Sequence, residues 1–318
     1  SRVILPLKKF GVNFYPKNRY KLPFYISGSN FLSPITYREQ KGSAQCKSCV
    51  MLAALNTDGK TIIKAKKSRD HTEILFKHLN IPMKIKRGAN DDLIEVNGKK
   101  NFKSFDYKIP SDISSSAFFI VLTLLSKKSS LIIKNVNINP SRTGFISILN
   151  KMGAKITFKN KKIYNGEKIA DISVKSVNKL KAIKCPTKYN SSAIDEFLII
   201  FIVAAKAKGV SYFRNLSELN QKESPRLKIA SKILNMIGVK TKLTSHSIKI
   251  FGEPNLNLKK NYRVKNFLKD HRVFMMSTIA ALTLGGNWTI HDPDSIKTSF
   301  PSFLKTIKKI GARINWKN

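Results

Sequence analysis

Residues 114–158 read SSSAFFIVLTLLSKKSSLIIKNVNINPSRTGFISILNKMGAKITF. An apolar, helix-like stretch ends in a Ser/Lys turn. A short strand pattern follows, then an Asn-rich turn. A second, amphipathic helix pattern closes on Met152-Gly153-Ala154, where glycine suits the left-handed residue that ends a helix. Three other stretches repeat this order. They begin at Ser43 (SAQCKSCVMLAALNTDGKTIIKAKKSRDHTEILFKHLNIPMKIK), Ser192 (SAIDEFLIIFIVAAKAKGVSYFRNLSELNQKESPRLKIASKILNMIGVKTKL) and Asp270 (DHRVFMMSTIAALTLGGNWTIHDPDSIKTSFPSFLKTIKKIGARINW). Ile237-Gly238-Val239 and Ile310-Gly311-Ala312 repeat the stop signal, and Asn80-Ile81-Pro82 takes its place in the first copy. Phe10-Gly11-Val12 reads as the end of a further copy. The unit is helix–strand–helix–strand with extra strands before the next copy. It is too long for a solenoid repeat and fits βα subdomains.

A length of 318 residues exceeds one typical domain and predicts two. A boundary falls near Tyr107–Asp112 (YKIPSD), which carries a proline and turn formers between two repeats. This divides the chain into 1–108 and 109–318. With 42% hydrophobic residues, real cores form. The longest apolar runs, near Phe197–Ala205 and Ala117–Leu125, are about half of the ~20 residues a membrane span needs, and read as buried helices. Three cysteines exclude a disulfide framework. No signal-peptide pattern opens the chain, so a cytoplasmic protein without a membrane partner is expected.

The formal net charge is +40, which invites a nucleic-acid reading. Lysine outnumbers arginine 48 to 11, whereas base and phosphate readers lean on arginine. The lysines are spread evenly and form no arm or tail. A lysine-, asparagine- and isoleucine-rich background accounts for the charge without a nucleic-acid partner. Against it, the few acidic residues inside motifs stand out.

Five polar segments sit at predicted helix N-termini: Ser43-Ala44-Gln45, Ser68-Arg69-Asp70-His71-Thr72-Glu73, Asp195-Glu196, Lys222-Glu223-Ser224-Pro225-Arg226 and Asp270-His271-Arg272. Such ends present free N–H groups and a positive dipole end, so they favour phosphate or carboxylate. Lysine and arginine strengthen the anion preference, and a carboxylate adds acid–base chemistry. No P-loop, dinucleotide fingerprint or zinc spacing is present. Cys46 and Cys49 form a lone CxxC in an apolar helical stretch, and together with Cys185 read as packing residues.

With NPSRTG at 139–144, IDEF at 194–197 and SFP at 299–301, these segments resemble the 5-enolpyruvylshikimate-3-phosphate synthase family, in the class with SAQ and SRDHTE motifs. The likeness runs from Arg2 to Trp316. It implies an α/β (α+β) fold of two domains, each built from three βαβαββ subdomains. Four repeats and a tail are counted here, so the resemblance implies that the N-terminal part of one domain is missing. The absent motifs are the family's KS, GNAGT and RP segments, and the chain is expected to be a fragment, inactive or poorly active as given. The implied reaction joins phosphoenolpyruvate to the 5-hydroxyl of shikimate 3-phosphate and releases phosphate, with no metal or organic cofactor and as a monomer.

The resemblance also assigns roles. Asp195 matches the general base toward the 5-hydroxyl, although an aspartate there also suits a helix cap. Glu223 matches the acid/base at the enolpyruvyl carbon. Lys222 and Asp195 contact shikimate 3-phosphate. Arg226 and Arg272 clamp phosphoenolpyruvate, for which the planar guanidinium fork is suited. Ser43, Ser68 and Arg69 fall on the shikimate phosphate, Gln45 on the ring, and Ala44 contributes backbone. Asp70 and Glu73 are expected to support a helix start. His71 and His271 read as structural.

Three departures from the family pattern stand out. Pro225 replaces an aspartate, Asn220-Gln221 replaces Arg-Val, and Ser111 replaces a hinge glycine, which would strain the backbone if a positive φ were required there. The alternative within the fold is a UDP-N-acetylglucosamine enolpyruvyl transferase, against which SRDHTE, KESxR and DHR argue. A basic nucleic-acid-binding protein and a non-catalytic remnant are the remaining alternatives.

Overall fold

The computed structural model describes residues 2–98, 101 and 103–315. It divides into two compact units, Ser1–Ile109 with Ile163–Lys168, and Pro110–Lys162 with Ile169–Asn318.

The first unit opens with α1 (Ile4–Lys9) and an antiparallel pair, β1 (Asn13–Tyr15) and β2 (Tyr25–Ser27). One complete repeat follows: β3 (Thr36–Glu39), α2 (Ala44–Ala54), β4 (Lys60–Lys66), α3 (His71–His78), β5 (Met83–Arg87) and β6 (Asp91–Asn97). This is βαβαββ. Its sheet runs β3-β4-β6-β5, with β3 parallel to β4 and the hairpin strands antiparallel. Strand β4 alternates exposed and buried residues, as expected for a sheet with one face on a core. That core gathers Phe10, Val50, Met51, Ile63, Phe76 and Ile94.

The second unit repeats the scheme. Helix α4 (Ile113–Leu125), β7 (Ser130–Asn137), α5 (Gly144–Lys151), β8 (Lys155–Tyr164) and β9 (Glu167–Lys175) form the next copy, with sheet order β7-β9-β8, except that the hairpin tip Ile163–Lys168, with Glu167, belongs to the first unit. A parallel bridge from Ser111 to Val136 stands where β3 stands in the first unit. The third copy has α6 (Asn190–Ala193), α7 (Phe197–Ala205), β10 (Gly209–Phe213), α8 (Arg226–Met236), β11 (Thr241–Leu243) and β12 (Ile248–Gly252), with sheet order β10-β12-β11. Lys181 and Lys184 bridge in parallel to Lys208 and Tyr212 at its edge. The fourth has β13 (Leu258–Val264) parallel to β14 (Gly285–Ile290), with α9 (His271–Leu284) and α10 (Phe303–Lys309). Every residue of α7 is buried, consistent with a helix apolar on all sides at the centre of a domain.

The stop signals close the helices in one way. In all five copies the residue after the stop donates its N–H five residues back: Val12 to Leu7 O (3.2 Å), Ile81 to Phe76 O (2.9 Å), Ala154 to Leu149 O (3.0 Å), Val239 to Leu234 O (2.9 Å) and Ala312 to Ile307 O (3.2 Å). This is the six-to-one bond of a Schellman cap. It requires a left-handed residue, supplied by Gly11, Asn80, Gly153, Gly238 and Gly311, all at positive φ.

Two expectations change. The strand predicted after Gly311 does not form in Ala312–Asn315, and Trp316 lies outside the described residues. Ser111 carries no strain, because it is not among the residues at positive φ. Its N–H donates to Asn135 O (2.9 Å) and its carbonyl accepts from Asn137 N–H (3.0 Å), so any residue with a backbone N–H suits the position.

Candidate active site

The repeat decides where polar motifs can gather. In each copy the two helices begin after strands, and their N-termini carry the segments singled out above. In the first unit these ends are Ser43 on α2 and Ser68–Asp70 before α3. In the second they are Asp112 on α4, Ser141–Thr143 before α5, Asp195–Glu196 before α7, Glu223–Arg226 at α8 and Asp270–Arg272 at α9.

In the second unit, Arg226 is the centre of an ionic cluster, although it is only 1% exposed. Its Nε donates to Asp270 Oδ2 (2.8 Å) and its Nη2 to Asp270 Oδ1 (3.3 Å) and to Glu223 Oε2. Its Nη1 lies 3.7 Å from Asp195 Oδ1. Asp270 is wholly buried. It also accepts from Ser224 Oγ (2.8 Å) and caps α9 through the Arg272 N–H (2.9 Å). Burial acts to raise the Asp270 carboxyl, but hydrogen bonding and charge from Arg226, with Ser224 and the Arg272 N–H, outweigh it and hold it below the usual carboxylate range. Lys222 Nζ reaches Glu218 (2.8 Å) and Asp195 Oδ1 (3.6 Å). Asp195, Lys222, Glu223, Arg226 and Arg272 thus come together.

Arg272 extends the cluster. Its Nη1 donates to the Asp195 carbonyl (2.8 Å) and lies 3.7 Å from Glu196 Oε1. Glu196 accepts from Ser114 Oγ (2.5 Å), which in turn accepts from Arg142 Nη2 (2.6 Å). Arg142 also pairs with Asp112, the cap of α4. Burial pushes the Glu196 carboxyl up, the Asp195 charge adds to this, and Arg272 opposes it. Asp195 is not a helix cap: the cap position of α7 is Glu196, whose side chain makes no capping bond.

The first unit holds the other predicted residues. Ser43 caps α2, its Oγ accepting from Cys46 N–H (3.3 Å). Ala44 is the first residue of α2, and the Gln45 side chain is exposed. Lys47 Nζ donates to the Arg69 carbonyl (2.8 Å), bringing the turn with Ser68 and Arg69 against α2. Ser68 Oγ is buried without a hydrogen-bond partner among the described residues. A buried hydroxyl in this condition is set for a ligand or water. Asp70 makes no cap bond and pairs instead with Arg87 (3.3 Å), while Glu73 pairs with Lys47. His71 Nδ1 is 2.5 Å from Glu167. The three cysteines are free, and burial pushes Cys185 up to about 11.

The substitution at Pro225 leaves helix α8 intact. Pro225 stands at its cap position, where no helical N–H is needed, and its carbonyl accepts from Ile229 N–H (3.0 Å). Asn220 and Gln221 lie in a 3₁₀ turn, Ser217–Gln221. Sequence reasoning did not anticipate the roles of Asp270, Glu196, Ser114, Arg142 and Lys47 as partners of the site residues. The scarcity of acidic residues pointed at Asp270 and Glu196. Nothing marked Lys47 among 48 lysines.

Among the described residues no helix is long and apolar enough to cross a membrane. The family described as EPSP synthase (3-phosphoshikimate 1-carboxyvinyltransferase) matches residues 1–307. A 3-phosphoshikimate 1-carboxyvinyltransferase of Ruthia magnifica is 38% identical over 323 aligned positions, covering 100% of this chain and 71% of that protein. One of Petrotoga mobilis is 36% identical, covering 98% and 71%. The solved EPSP synthase of Acinetobacter baumannii superposes with a TM-score of 0.87 at 33% identity, covering 100% of this chain and 72% of that one. The enolpyruvyl transferase NikO of Streptomyces tendae, at TM-score 0.70 and 16% identity over 99% of this chain and 72% of its own, shares the fold. Four copies of one strand–helix scheme, complete as βαβαββ in the first, the ionic cluster and these matches agree: the chain belongs to the EPSP synthase family.

Proposed function

We propose that this chain carries out, or carries the residues for, transfer of the enolpyruvyl group of phosphoenolpyruvate to the 5-hydroxyl of shikimate 3-phosphate with release of phosphate. The observation that carries the reading is the Arg226 cluster. A buried guanidinium is held by one buried carboxylate, Asp270, and faces two others with access to solvent, Asp195 and Glu223. Asp270 fixes the fork. Glu223, with a side chain 53% exposed, is easily displaced by an incoming oxyanion. That exchange places the phosphate or carboxylate of phosphoenolpyruvate on Arg226 and releases Glu223 to act as acid and base at the enolpyruvyl carbon. Arg272 provides the second clamp. Asp195, steered by Lys222 and Arg226, takes the proton of the attacking hydroxyl.

In the first unit, Ser43, Ser68 and Arg69 take the phosphate of shikimate 3-phosphate, with Gln45 on the ring and the Ala44 backbone at the start of α2. We propose residues 1–108 as the shikimate-phosphate-binding domain and 109–318 as the domain of the acid, base and phosphoenolpyruvate residues. No organic cofactor or metal enters these steps. The protein acts as a monomer in the cytoplasm and needs no nucleic acid. Gel filtration checks the first point, and a flat salt response of any nucleic-acid binding checks the last.

Titration calorimetry with phosphoenolpyruvate tests the cluster. Arg272→Ala weakens binding at least about tenfold, as loss of a charge-assisted contact should. Glu223→Gln leaves binding unchanged or tighter, because it removes the group that competes for Arg226. If Glu223→Gln weakens phosphoenolpyruvate binding as much as Arg272→Ala does, the exchange at Arg226 is refuted.

A further inference from the structure

Lys47 and Glu73 form an ion pair of 2.6 Å in which each side chain is only 2% exposed. Lys47 is on the second turn of α2 and Glu73 on the first turn of α3. Charged groups are almost never buried this deeply unless they are paired. Desolvation offsets their attraction so far that apolar residues of similar shape serve stability equally well or better. The pair therefore calls for a reason beyond folding.

The geometry supplies one. Beyond Glu73, Lys47 Nζ donates to the main-chain carbonyl of Arg69 (2.8 Å). The carboxylate aims the ammonium, and the ammonium pins the peptide of the turn that carries Ser68 and Arg69. Next to it Ser48 Oγ and Thr72 Oγ1 meet at 2.6 Å, a second stitch between the same two helix ends. The neighbouring Ser68 Oγ is held buried with no partner among the described residues, a position a free turn would relax to satisfy. A lysine is suited to this, since its compact ammonium can lie against a carboxylate as a charge while an N–H donates to a carbonyl. We infer that Lys47 and Glu73 are positioning residues, which hold the Ser68–Arg69 turn against the start of α2 in the geometry that receives a phosphate. The inference rests on the proposed role of Ser68 and Arg69 toward shikimate 3-phosphate.

The test separates positioning from stability. Lys47→Met alone strands a buried carboxylate, so its melting temperature falls. The double variant Lys47→Met/Glu73→Leu removes both charges and recovers a melting temperature near that of the parent chain. Its affinity for shikimate 3-phosphate, measured by titration calorimetry well below the melting transition, stays at least about tenfold weaker, because the Arg69 carbonyl has lost its donor. A purely structural pair would recover both properties together, so parent-like affinity in the double variant overturns the inference. Arg69→Ala, measured alongside, reads the underlying assignment. If Arg69→Ala binds like the parent, the role of the turn itself is wrong. If it weakens binding while the double variant does not, only the positioning role fails.

Discussion

Replacing Asp270 by asparagine tests how the ionic cluster around Arg226 is built. The substitution keeps the shape of the side chain and removes its charge. Asp270 is wholly buried and accepts four hydrogen bonds: two from Arg226, one from Ser224 Oγ and one from the Arg272 N–H. One amide oxygen can keep two of them. Ser224 can rotate its hydroxyl to accept from the new amide, but Arg226 Nε cannot accept. One charge-assisted bond is lost outright, worth about 1.5–3 kcal/mol. Stranding half of a buried pair generally costs about 3–5 kcal/mol. Arg226 still has Glu223 and Asp195 nearby, which puts the expected loss at the lower end, about 3 kcal/mol. Trp288 belongs to the second unit, so urea unfolding followed by its fluorescence, in a Trp316→Phe background, reads that unit. Asp112→Asn is the control. Its pair with Arg142 has a carboxylate 45% exposed, and its loss should stay within about 1 kcal/mol, together with a small capping loss. A loss below 1 kcal/mol for Asp270→Asn would refute the idea that Arg226 depends on Asp270.

Three further outcomes follow from the same structure. Burial raises the Glu196 carboxyl above its ordinary 4.5; the folded chain therefore holds this proton more tightly than the unfolded chain, and stability from this group falls as pH rises from about 4.5 through the folded value. Glu196→Gln should flatten that part of the profile in melting temperatures between pH 4 and 7, and an unchanged difference from the parent across that range would count against it. Leu268, 67% exposed, sits at φ +55° just before Asp270. Leu268→Gly relieves a left-handed penalty of about 1–2 kcal/mol against an entropy cost of about 0.5–1 kcal/mol, so the urea midpoint should rise, and a clear fall would disprove the strain. A Cβ on Gly144 would stand 2.1 Å from Ser192 Oγ; Gly144→Ala should destabilise by about 1–3 kcal/mol in the same unfolding assay, and a neutral result would mean that the start of α5 moves freely.

What could be read from the sequence was local. The helix stops needed only a glycine or asparagine between apolar neighbours, and Gly153, Gly238, Gly311 and Asn80 were legible because a Schellman cap depends on residues within one turn. The buried helix Phe197–Ala205 was legible because it is apolar on every side. The short edge elements at Ser111, Lys181 and Lys184 were not, since single parallel bridges leave no periodic pattern. The motif residues were recognisable, but their partners were not. Arg226 meets Asp270 across 44 residues and Ser114 meets Glu196 across 82. No spacing rule links residues so far apart. Ser111 looked strained from pattern alone, and it is not, because the backbone there is not at positive φ; Pro225, at φ −72°, suits the start of α8.

In the proposed reaction each unit receives its own anion, and the first unit's ligand can be read with one set of titrations. Shikimate 3-phosphate and UDP-N-acetylglucosamine are titrated separately into the purified chain and into Arg69→Ala. The account predicts saturable one-site binding of shikimate 3-phosphate, weakened at least about tenfold by Arg69→Ala, and no saturable binding of the UDP-sugar. Binding of the UDP-sugar in preference to shikimate 3-phosphate, or shikimate 3-phosphate binding indifferent to Arg69, would contradict it.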